Sequence, residues 1–422
     1  MLRDNLLPTA SQLESIARET KLIQRRSPKF NAPGFLMAML QSVTKGDTSL
    51  NQIVMHLTSF VPRGMTRQAM FQRFGPSTSA FLLEVIQSVL KLRHPAVIGM
   101  LQHAPFTRVI VEDSTVISMA KSNTANFPNN GNGRYETAGC KCLLSLDILH
   151  GKAIDFQLHA ARESDQSLAF ETADRCRMGD LIVRDMGFFS IESLRVIGSR
   201  NAFWISRLPA STSLRSESKK PLAKLLANAK GDVLDLSAQV GRNELPCRLI
   251  AIRLDPQRAA ANRRHIKSEA KRRGVATSKE ALLRASWRIL VTNVSRDMLD
   301  AKKISDIYAL RWSIEIKFRA FKQSCQLSRG LKHQSGHHHI EGMVLAAMLY
   351  QLLTIHLHAR LSHREIFRGW LSMEKLTDAF SIHLMRLTNK VDSWIFDPDS
   401  RHLKYEKRNR INHWKSITQS LA

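Results

Sequence analysis

The order of strand-like and helix-like segments between about residues 105 and 200 constrains the fold most. The stretch FTRVIVEDSTVISM is β-rich, and the segments CKCLLSLDIL and KAIDFQLHA flank His150-Gly151 as a hairpin would. A helical stretch, ESDQSLAFETADRCR, leads to the short apolar strand LIVRDMGFF and then to a second helix, SIESLRVIGSR. The sequence therefore predicts the order β-β-β-α-β-α, with three antiparallel strands before a crossover helix and a fourth strand.

This order is that of the ribonuclease-H-like fold of the retroviral-integrase superfamily, so we predict an α/β protein. Apolar residues at helical spacing before this region predict a helical N-terminal region over residues 1–104. Segments that resemble strands, together with a basic helix, predict a β-rich insertion over 201–299. We assign 105–200 and 300–335 to the ribonuclease-H-like core, and 336–422 to a helical C-terminal region.

The charge of the chain indicates a polyanionic partner. Lys and Arg total 63 against 36 Asp and Glu, a formal net charge of +27. Binding to nucleic acid releases counterions and so favours basic proteins of this kind. An anionic membrane surface is the alternative, but no basic amphipathic anchor supports it. A structural RNA binder would be as basic, although such proteins are usually shorter and poorer in core residues.

The apolar residues and cysteines indicate a soluble intracellular protein. No signal peptide is visible, and the longest apolar stretch, Met343 to Ile355, is interrupted by Gln351 and too short to span a bilayer. It predicts a buried helix. The five cysteines are few and lack the spacing of a zinc site, so we expect free thiols in a reducing cytosol.

Two basic segments could contact DNA. In SLNQIVMHLTSFVPRGMTRQAMFQRF, we predict a helix from Ser49, a turn, and a second helix from Thr66 that exposes Arg67 and Arg73. This resembles a helix-turn-helix, although many helical hairpins look similar. The second segment, RAAANRRHIKSEAKRRGVATSKEALLRAS, is either a solvated charged helix or, as we favour, a surface that follows phosphates; its candidates are Arg263, Arg264, Lys271, Arg272 and Arg273.

Three carboxylates are placed for chemistry. Asp113 and Asp185 each end or nearly end a hydrophobic strand, where a carboxylate is poorly placed for packing. The first and fourth strands are neighbours in a ribonuclease-H-like sheet, and a later helix would bring Glu315 to them. Three carboxylates at one point repel each other and need cations. Mg²⁺ prefers such oxygen ligands, and two ions can activate the attacking oxygen and stabilise the leaving oxygen of a phosphodiester.

The segment around Glu315 predicts one long helix, KKISDIYALRWSIEIKFRAFKQ. On such a helix Tyr308, Arg311, Glu315 and Lys322 fall within roughly a 60° arc, beside an apolar arc that would face the core. Spacing alone would also suit an ion pair of Glu315 with Arg311 or Arg319.

The pattern Y-x2-R-x3-E-x6-K, formed here by Tyr308, Arg311, Glu315 and Lys322, resembles the signature of the insertion-sequence-four family of bacterial DDE transposases. VEDST at Asp113 and RDMGF at Asp185 resemble that family's first and second acidic motifs, and the stretch between Asp185 and Glu315 resembles its insertion domain. The resemblance covers nearly the whole chain.

The resemblance implies a DNA transposase that cuts transposon ends and transfers the freed strand into target DNA by cut-and-paste movement. It implies that Asp113, Asp185 and Glu315 bind two Mg²⁺ ions, which Mn²⁺ could replace. Tyr308, Arg311 and Lys322 would contact phosphates near the transposon end. Trp287 either stacks on an extruded base or is a core residue of the insertion. The implied partners are double-stranded DNA, as terminal inverted repeats and target, and a second copy of the chain; the implied location is the bacterial cytoplasm, at the nucleoid.

Several alternatives remain open at this point. A metal-dependent nuclease without strand transfer would share the three acids, and a non-catalytic DNA-binding protein could descend from a transposase. Glu112 lies beside Asp113, but strand alternation puts the two on opposite faces, so only one can reach the metals. The run His337 to His339 suggests a metal site, but three consecutive residues cannot share one helical face, so we expect a solvated helix start.

Overall fold

The computed structural model describes residues 6–92, 105–131, 136–216, 220–242, 244–334, 336–362, 371–387 and 403. The chain forms two compact units, each built from separated segments. The first unit contains 1–99, 114–163 and 313–415, and the second contains 100–113, 164–312 and 416–422. These units do not correspond one to one with the four predicted regions, and the four-part division stays a prediction.

The strands, in chain order, are β1 (Arg108–Met119), β2 (Pro128–Asn129), β3 (Thr137–Asp147), β4 (Lys152–Ala160), β5 (Asp180–Arg184), β6 (Phe203–Arg207), β7 (Leu214–Ser216), β8 (Val233–Val240), β9 (Leu245–Arg253) and β10 (Trp287–Thr292). The helices are α1 (Ala10–Glu19), α2 (Ala32–Lys45), α3 (Leu50–Leu57), α4 (Arg67–Phe71), α5 (Pro76–Leu90), α6 (Asp165–Ala173), α7 (Ile191–Ser199), α8 (Leu222–Ala227), α9 (Pro256–Arg272), α10 (Lys279–Arg284), α11 (Ala301–Ala309), α12 (Trp312–Cys325), α13 (Leu327–Gly330), α14 (His337–Ser362) and α15 (Met373–Arg386). The predicted α/β class is confirmed, and the predicted order β-β-β-α-β-α is present with one addition, the two-residue strand β2 between β1 and β3.

The second unit is built on a sheet in the order β1-β5-β6-β10-β9-β8-β7. β1 pairs in parallel with β5, and β5 pairs in parallel with β6, whereas the pairs β6–β10, β10–β9, β9–β8 and β8–β7 are antiparallel. The predicted insertion began at residue 201 and therefore included β6. The strand instead continues the parallel sheet, and the β-rich segment extends that sheet at the far side of β6. A strand's partner depends on long-range pairing, which local sequence does not determine.

Asp113 lies in the middle of β1, and not at the end of a strand as predicted. The apolar run VIV stops before Asp113, but the following STVISM keeps the alternation of a strand exposed on one face, so β1 continues to Met119. Asp185, in contrast, directly follows β5, as predicted. The parallel pairing of β1 with β5 extends to Val111, so Asp113 lies just beyond it.

The predicted single helix around Glu315 is two helices. α11 ends at Ala309 and α12 begins at Trp312, with Leu310 and Arg311 in a turn between them. The prediction was wrong on this point because the apolar spacing runs on through the break: Ile307, Leu310 and Ile314 are all buried. Periodicity reports which side chains face a core, but it does not detect a local change in the path of the backbone.

The first unit contains the N-terminal helices, the β3–β4 hairpin and the C-terminal helices. The predicted hairpin is confirmed, with Gly151 in its turn at φ 65°. α14 is long and apolar enough to cross a membrane, but 94% of its most apolar window is buried inside the protein, which confirms the predicted core helix. The cysteines are free, as predicted, and all but Cys247 are buried. Beyond residue 387, apart from Leu403, the predicted C-terminal helical region lies outside the described residues.

Candidate active site

The register of the parallel strands aligns the residues that precede Asp113 and Asp185. Arg108 lies opposite Asp180 and Val111 lies opposite Val183. The same register, continued by two residues, brings Asp113 opposite Asp185 and on the same face of the sheet, because side chains alternate along each strand. One carboxylate therefore lies within β1 and the other directly after β5.

The turn that carries Asp185 is tight. Met186–Phe188 form a short 3-10 helix directly after Asp185. A Cβ atom at Gly187 would lie 3.1 Å from Oδ2 of Asp165, at the start of α6, so a larger residue at this position would require the Asp165 carboxylate to shift. Within the sequence RDMGF, the glycine thus allows the backbone after Asp185 to pass close to α6.

Two residues from the end of α11 contact this pair of carboxylates. The Tyr308 hydroxyl donates a hydrogen bond to Oδ1 of Asp185 at 3.3 Å, and Nη1 of Arg311 lies 4.0 Å from Oδ2 of Asp113. Burial raises the pKa of Tyr308, and the Asp185 charge raises it further, so the phenol is protonated at neutral pH. The break after Ala309 places Arg311 in a turn, from which its guanidinium reaches Asp113.

The site includes a cation that no sequence motif singled out. Arg184 lies opposite Ser206 at the end of the β5–β6 pair, and the same register continued by one residue would bring Arg207 opposite Asp185. Arg207 is exposed at the end of β6, and its charge acts on both Tyr308 and Arg288. Arg288 donates to Oγ of Ser305 at 2.8 Å. The signal that could have found Arg207 is the parallel pairing of β6, which sequence analysis missed.

The opposite face of the same strands is closed by an ion pair. Nε of Arg184 lies 2.5 Å from Oε2 of Glu112, and their side chains are 1% and 3% exposed. Thr172 on α6 also donates to Glu112, at 3.1 Å, and Arg184 donates to the carbonyl oxygen of Ala169. Glu112 is therefore part of the core beneath α6. The predicted separation of Glu112 and Asp113 onto opposite faces is confirmed.

Glu315 and Lys322 lie on α12, in the first compact unit. Glu315 is half-buried within the first turn of α12, and Lys322 is exposed in its last turn. Ile314, Phe318 and Phe321 on the same helix are buried, as the predicted apolar arc requires.

Trp287 begins β10 and is 3% exposed. The guanidinium of Arg253, the residue opposite it on β9, lies over the indole ring at 4.3 Å from the ring centre. The indole Nε1 is buried without a hydrogen-bond partner among the described residues. A base could stack on this ring only after Arg253 moved aside.

The two arginines predicted to contact DNA in the N-terminal region, Arg67 and Arg73, differ in exposure. The hydroxyl of Thr66 accepts from the backbone of Ala69, which confirms Thr66 as the N-cap of α4. Arg67 follows it and is exposed. Arg73 is half-buried, because its guanidinium lies 4.6 Å from the centre of the Phe30 ring.

The predicted basic helix is α9. Arg264, Lys271, Arg272 and Arg273 are exposed, the last as the C-cap residue. Arg263 is half-buried, and it donates to Oγ of Ser286 at 2.7 Å. Of these cations, Arg272 and Arg273 share Glu269 as an acidic partner, at 2.7 and 3.8 Å.

The donor set at Asp113 and Asp185 fits a divalent cation. Both residues offer carboxylate oxygens, and both are part exposed, so a cation and a phosphate can reach them. Hard oxygen ligands of this kind suit Mg²⁺ or Mn²⁺ better than softer ions.

Comparisons with known proteins bear on this geometry. The family described as "Transposase DDE domain" matches residues 104–352, which is more than half of the chain. This range contains Asp113, Asp185 and Glu315.

Curated relatives match over most of their length. The transposase for insertion sequence element IS231E of Bacillus thuringiensis subsp. finitimus is 26% identical over 368 residues, covering 81% of this chain and 76% of that protein. The transposase for IS1151 of Clostridium perfringens is 23% identical over 344 residues, covering 76% and 72%. A solved structure of piggyBac transposase, a synaptic complex with hairpin DNA, has a TM-score of 0.44 at 11% identity, covering 96% of this chain and 82% of that chain.

Proposed function

The chain belongs to the transposase DDE domain family and is a DNA transposase that uses divalent metal ions; we propose that Asp113, Asp185 and Glu315 are its metal ligands. The observation that carries this proposal is the parallel register, which aligns Asp113 with Asp185 on one face beside Tyr308 and Arg311. Glu315 enters through its place in the signature pattern on α12.

We propose Mg²⁺ as the natural ion, with Mn²⁺ able to replace it. When bound, two such ions would supply activation of the attacking oxygen and neutralisation of charge on the phosphate. The carboxylates of Asp113 and Asp185 would hold them, and substrate phosphates would complete the coordination, as Mg²⁺ sites with few protein ligands require.

The reaction has two displacements at phosphorus. In the first, water attacks a phosphodiester at the transposon end, the P–O3′ bond breaks, and a 3′-hydroxyl is freed. In the second, that hydroxyl attacks a phosphodiester of the target, a new P–O3′ bond forms, and the target's own 3′-oxygen leaves. Cut-and-paste movement follows when both transposon strands are released.

Cations beside the carboxylates would position the DNA. Arg311 would bind a phosphate near the cut, and Tyr308 would donate its protonated hydroxyl either to Asp185 or to a phosphate. Arg207 is aligned with Asp185 and exposed, so it would bind the adjoining phosphate. Lys322 is assigned the same task by the signature pattern.

Other surfaces would hold the DNA farther from the cut. The candidates are Trp287, which would stack on an extruded base once Arg253 has moved, and the cations Arg67, Arg73, Arg263, Arg264, Lys271, Arg272 and Arg273. The DNA would be the terminal inverted repeats and the target, bound by a dimer in the bacterial cytoplasm at the nucleoid. Exposed cations on α9 support binding to phosphates because neutralising phosphates releases counterions.

Incubating the protein with Mg²⁺ and DNA that carries the ends of its own element tests the proposal. We expect cut ends and products joined to target DNA. Cut products without joining would mean a nuclease, and bound DNA without cutting would mean a non-catalytic DNA-binding protein. In the last two cases the proposed strand transfer is wrong.

A further inference from the structure

The start of α14 brings together three side chains with metal-binding atoms. His337, His338 and Glu341 each have one ligand atom within 4.8 Å of the ligand atoms of the other two. Among the described residues, no other group of three His, Cys, Asp or Glu side chains converges in this way. All three are half-buried, and all belong to the first compact unit. The group is chemically unlike the carboxylates of the active site because imidazole dominates it.

Helix geometry explains why two of the three consecutive histidines converge. Glu341 is four residues after His337 and three after His338, and residues at either spacing are neighbours on a helix. His339 takes another direction: it is 2% exposed, and its ring packs on Phe74 with the centres 4.7 Å apart. The expectation of a solvated helix start was therefore wrong, since one histidine is in the core and two share a face with Glu341.

The distances suit coordination. Nδ1 of His338 lies 3.6 Å from Oε2 of Glu341. Two ligand atoms about 2.0–2.2 Å from a tetrahedral ion are separated by about 3.4 Å. A metal could therefore bridge this pair with little movement, and a small rotation of the His337 ring would add the third ligand.

Two nitrogens of this group lack hydrogen-bond partners. Nδ1 of His337 and Nδ1 of His338 are both shielded from solvent, and neither has a partner within hydrogen-bond distance among the described residues. The ring of Phe127 covers His337, with the ring centres 5.1 Å apart. A shielded polar atom without a partner is costly, and coordination to a metal would remove that cost.

We propose that His337, His338 and Glu341 bind a zinc-class divalent ion, in a site distinct from the proposed Asp113–Asp185–Glu315 site. Imidazole nitrogens favour Zn²⁺, Ni²⁺ or Cu²⁺ over Mg²⁺. Two histidines and one glutamate leave a fourth position for water. The ion fixes the first turn of α14, the helix that forms much of the core of its unit, so its effect is on stability.

Zn²⁺ binding to the full chain tests this proposal without using activity as the readout. The protein is freed of metal with a chelator, transferred to buffer with excess Mg²⁺, and titrated with Zn²⁺ by calorimetry while the melting temperature is followed. We expect one tight Zn²⁺ per chain and a rise of a few degrees in the melting temperature, on the order of the shift that saturating ligand gives. Mg²⁺ alone should give neither.

Three variants separate the proposed site from other metal binding. Glu341→Gln and His338→Ala should each weaken Zn²⁺ binding at least about tenfold. His150→Ala is the matched control, because His150 also pairs with a carboxylate, Asp147, at 2.6 Å and is similarly exposed. It should bind Zn²⁺ as the unaltered protein does. Unchanged binding in Glu341→Gln would overturn the proposal, as would equal weakening in the His150 control; if His338→Ala fails to fold, the isosteric Glu341→Gln decides.

Discussion

The two faces of the β1–β5 pair carry the same kinds of residue with opposite consequences. On one face Glu112 and Arg184 form an ion pair that is almost fully buried and is completed by Thr172 and Ala169. On the other face Asp113 and Asp185 are part exposed; the Tyr308 hydroxyl donates to Asp185 at 3.3 Å, and the Arg311 guanidinium lies 4.0 Å from Asp113. Neighbours in the chain therefore differ in role because strand alternation separates them.

The surroundings of a carboxylate distinguish a structural role from the catalytic role that we propose for Asp113 and Asp185. A buried carboxylate whose charge is matched by a cation and hydrogen bonds contributes to the core, and losing its partner is costly. Two aligned carboxylates with partial exposure repel each other and are stabilised by a cation from solution. Substitutions at Glu112 or Arg184 should therefore lower stability, whereas substitutions at Asp113 or Asp185 should lower activity.

The largest expected effect is on cleavage. Asp113→Asn or Asp185→Asn should lower the rate of end cleavage at least about 10³-fold, because each removes several kcal/mol of transition-state stabilisation. DNA binding and the melting temperature should change little. The measurements are single-turnover cleavage of a labelled end and a thermal melt of each variant. Near-normal cleavage in either variant would show that this acid is wrongly assigned.

The next largest effect is on stability, and it is expected on the face that carries the Glu112–Arg184 ion pair. Glu112→Ala should lower the free energy of unfolding by about 3–5 kcal/mol, because Arg184 is left as a buried unpaired charge. The double variant Glu112→Leu, Arg184→Met should regain part of this loss. Denaturant unfolding of the unaltered protein and the two variants measures the loss and its recovery. A Glu112→Ala protein as stable as the unaltered one would contradict the assignment of Glu112 to the core.

Substitution of Arg207 should affect cleavage and not stability, like substitution of Asp113 or Asp185. Arg207→Ala should slow cleavage by about 10–100-fold, as expected for losing a charged hydrogen bond to phosphate worth about 1.5–3 kcal/mol. It should not lower the melting temperature, since Arg207 is exposed at the end of β6. Arg215→Ala, another exposed arginine on the same sheet, is the matched control and should cleave normally. Equal rates for both variants would remove Arg207 from the site.

Trp287 tests whether a buried side chain can also act on DNA. If the ring stacks on an extruded base, Trp287→Ala should slow processing of an intact end, with stacking worth about 1–3 kcal/mol, and should spare an end whose base has been removed. If the ring only packs, both substrates should be affected equally and the protein should melt earlier. The ratio of rates on intact and abasic ends, with the melting temperature, separates the two.

The smallest effect per residue concerns the exposed cations of the α9 segment. Replacing Arg264, Lys271, Arg272 and Arg273 by Gln should flatten the slope of log affinity against log salt, by about 0.9 for each DNA phosphate that is no longer neutralised. Four exposed cations elsewhere, Arg215, Lys224, Lys230 and Arg242, form the matched control set. Slopes that are equal for both sets would mean that the α9 segment does not follow the DNA backbone.

Much of the fold could be predicted because it depends on local patterns. The short apolar run in LIVRDMGFF identified β5, and the side-chain cap at Thr66 was predicted from residue type alone. The acids at 113 and 185 were singled out by their place after apolar runs. These patterns involve residues that are close together in the chain, so they can be recognised without knowing the tertiary structure.

The parts that sequence missed depend on interactions between distant residues or on the path of the backbone. The parallel pairing of β6 with β5 brings Arg207 to Asp185, and no motif marks it. The break between α11 and α12 was hidden because buried residues continue through it. The convergence of His337 and His338 on Glu341 was overlooked because three adjacent histidines were considered together, although only two of them need to share a face.

Iron-directed cleavage of the polypeptide tests most directly whether Asp113, Asp185 and Glu315 bind metal together, as we propose. Fe²⁺ replaces Mg²⁺ and, with peroxide and ascorbate, cuts the backbone near its ligands; the fragments are identified by mass spectrometry. We predict cuts near residues 113, 185 and 315 that Mg²⁺ suppresses, and that disappear together in Asp185→Asn. Cuts near 113 and 185 without any near 315, or cuts that persist in Asp185→Asn, would contradict the claim.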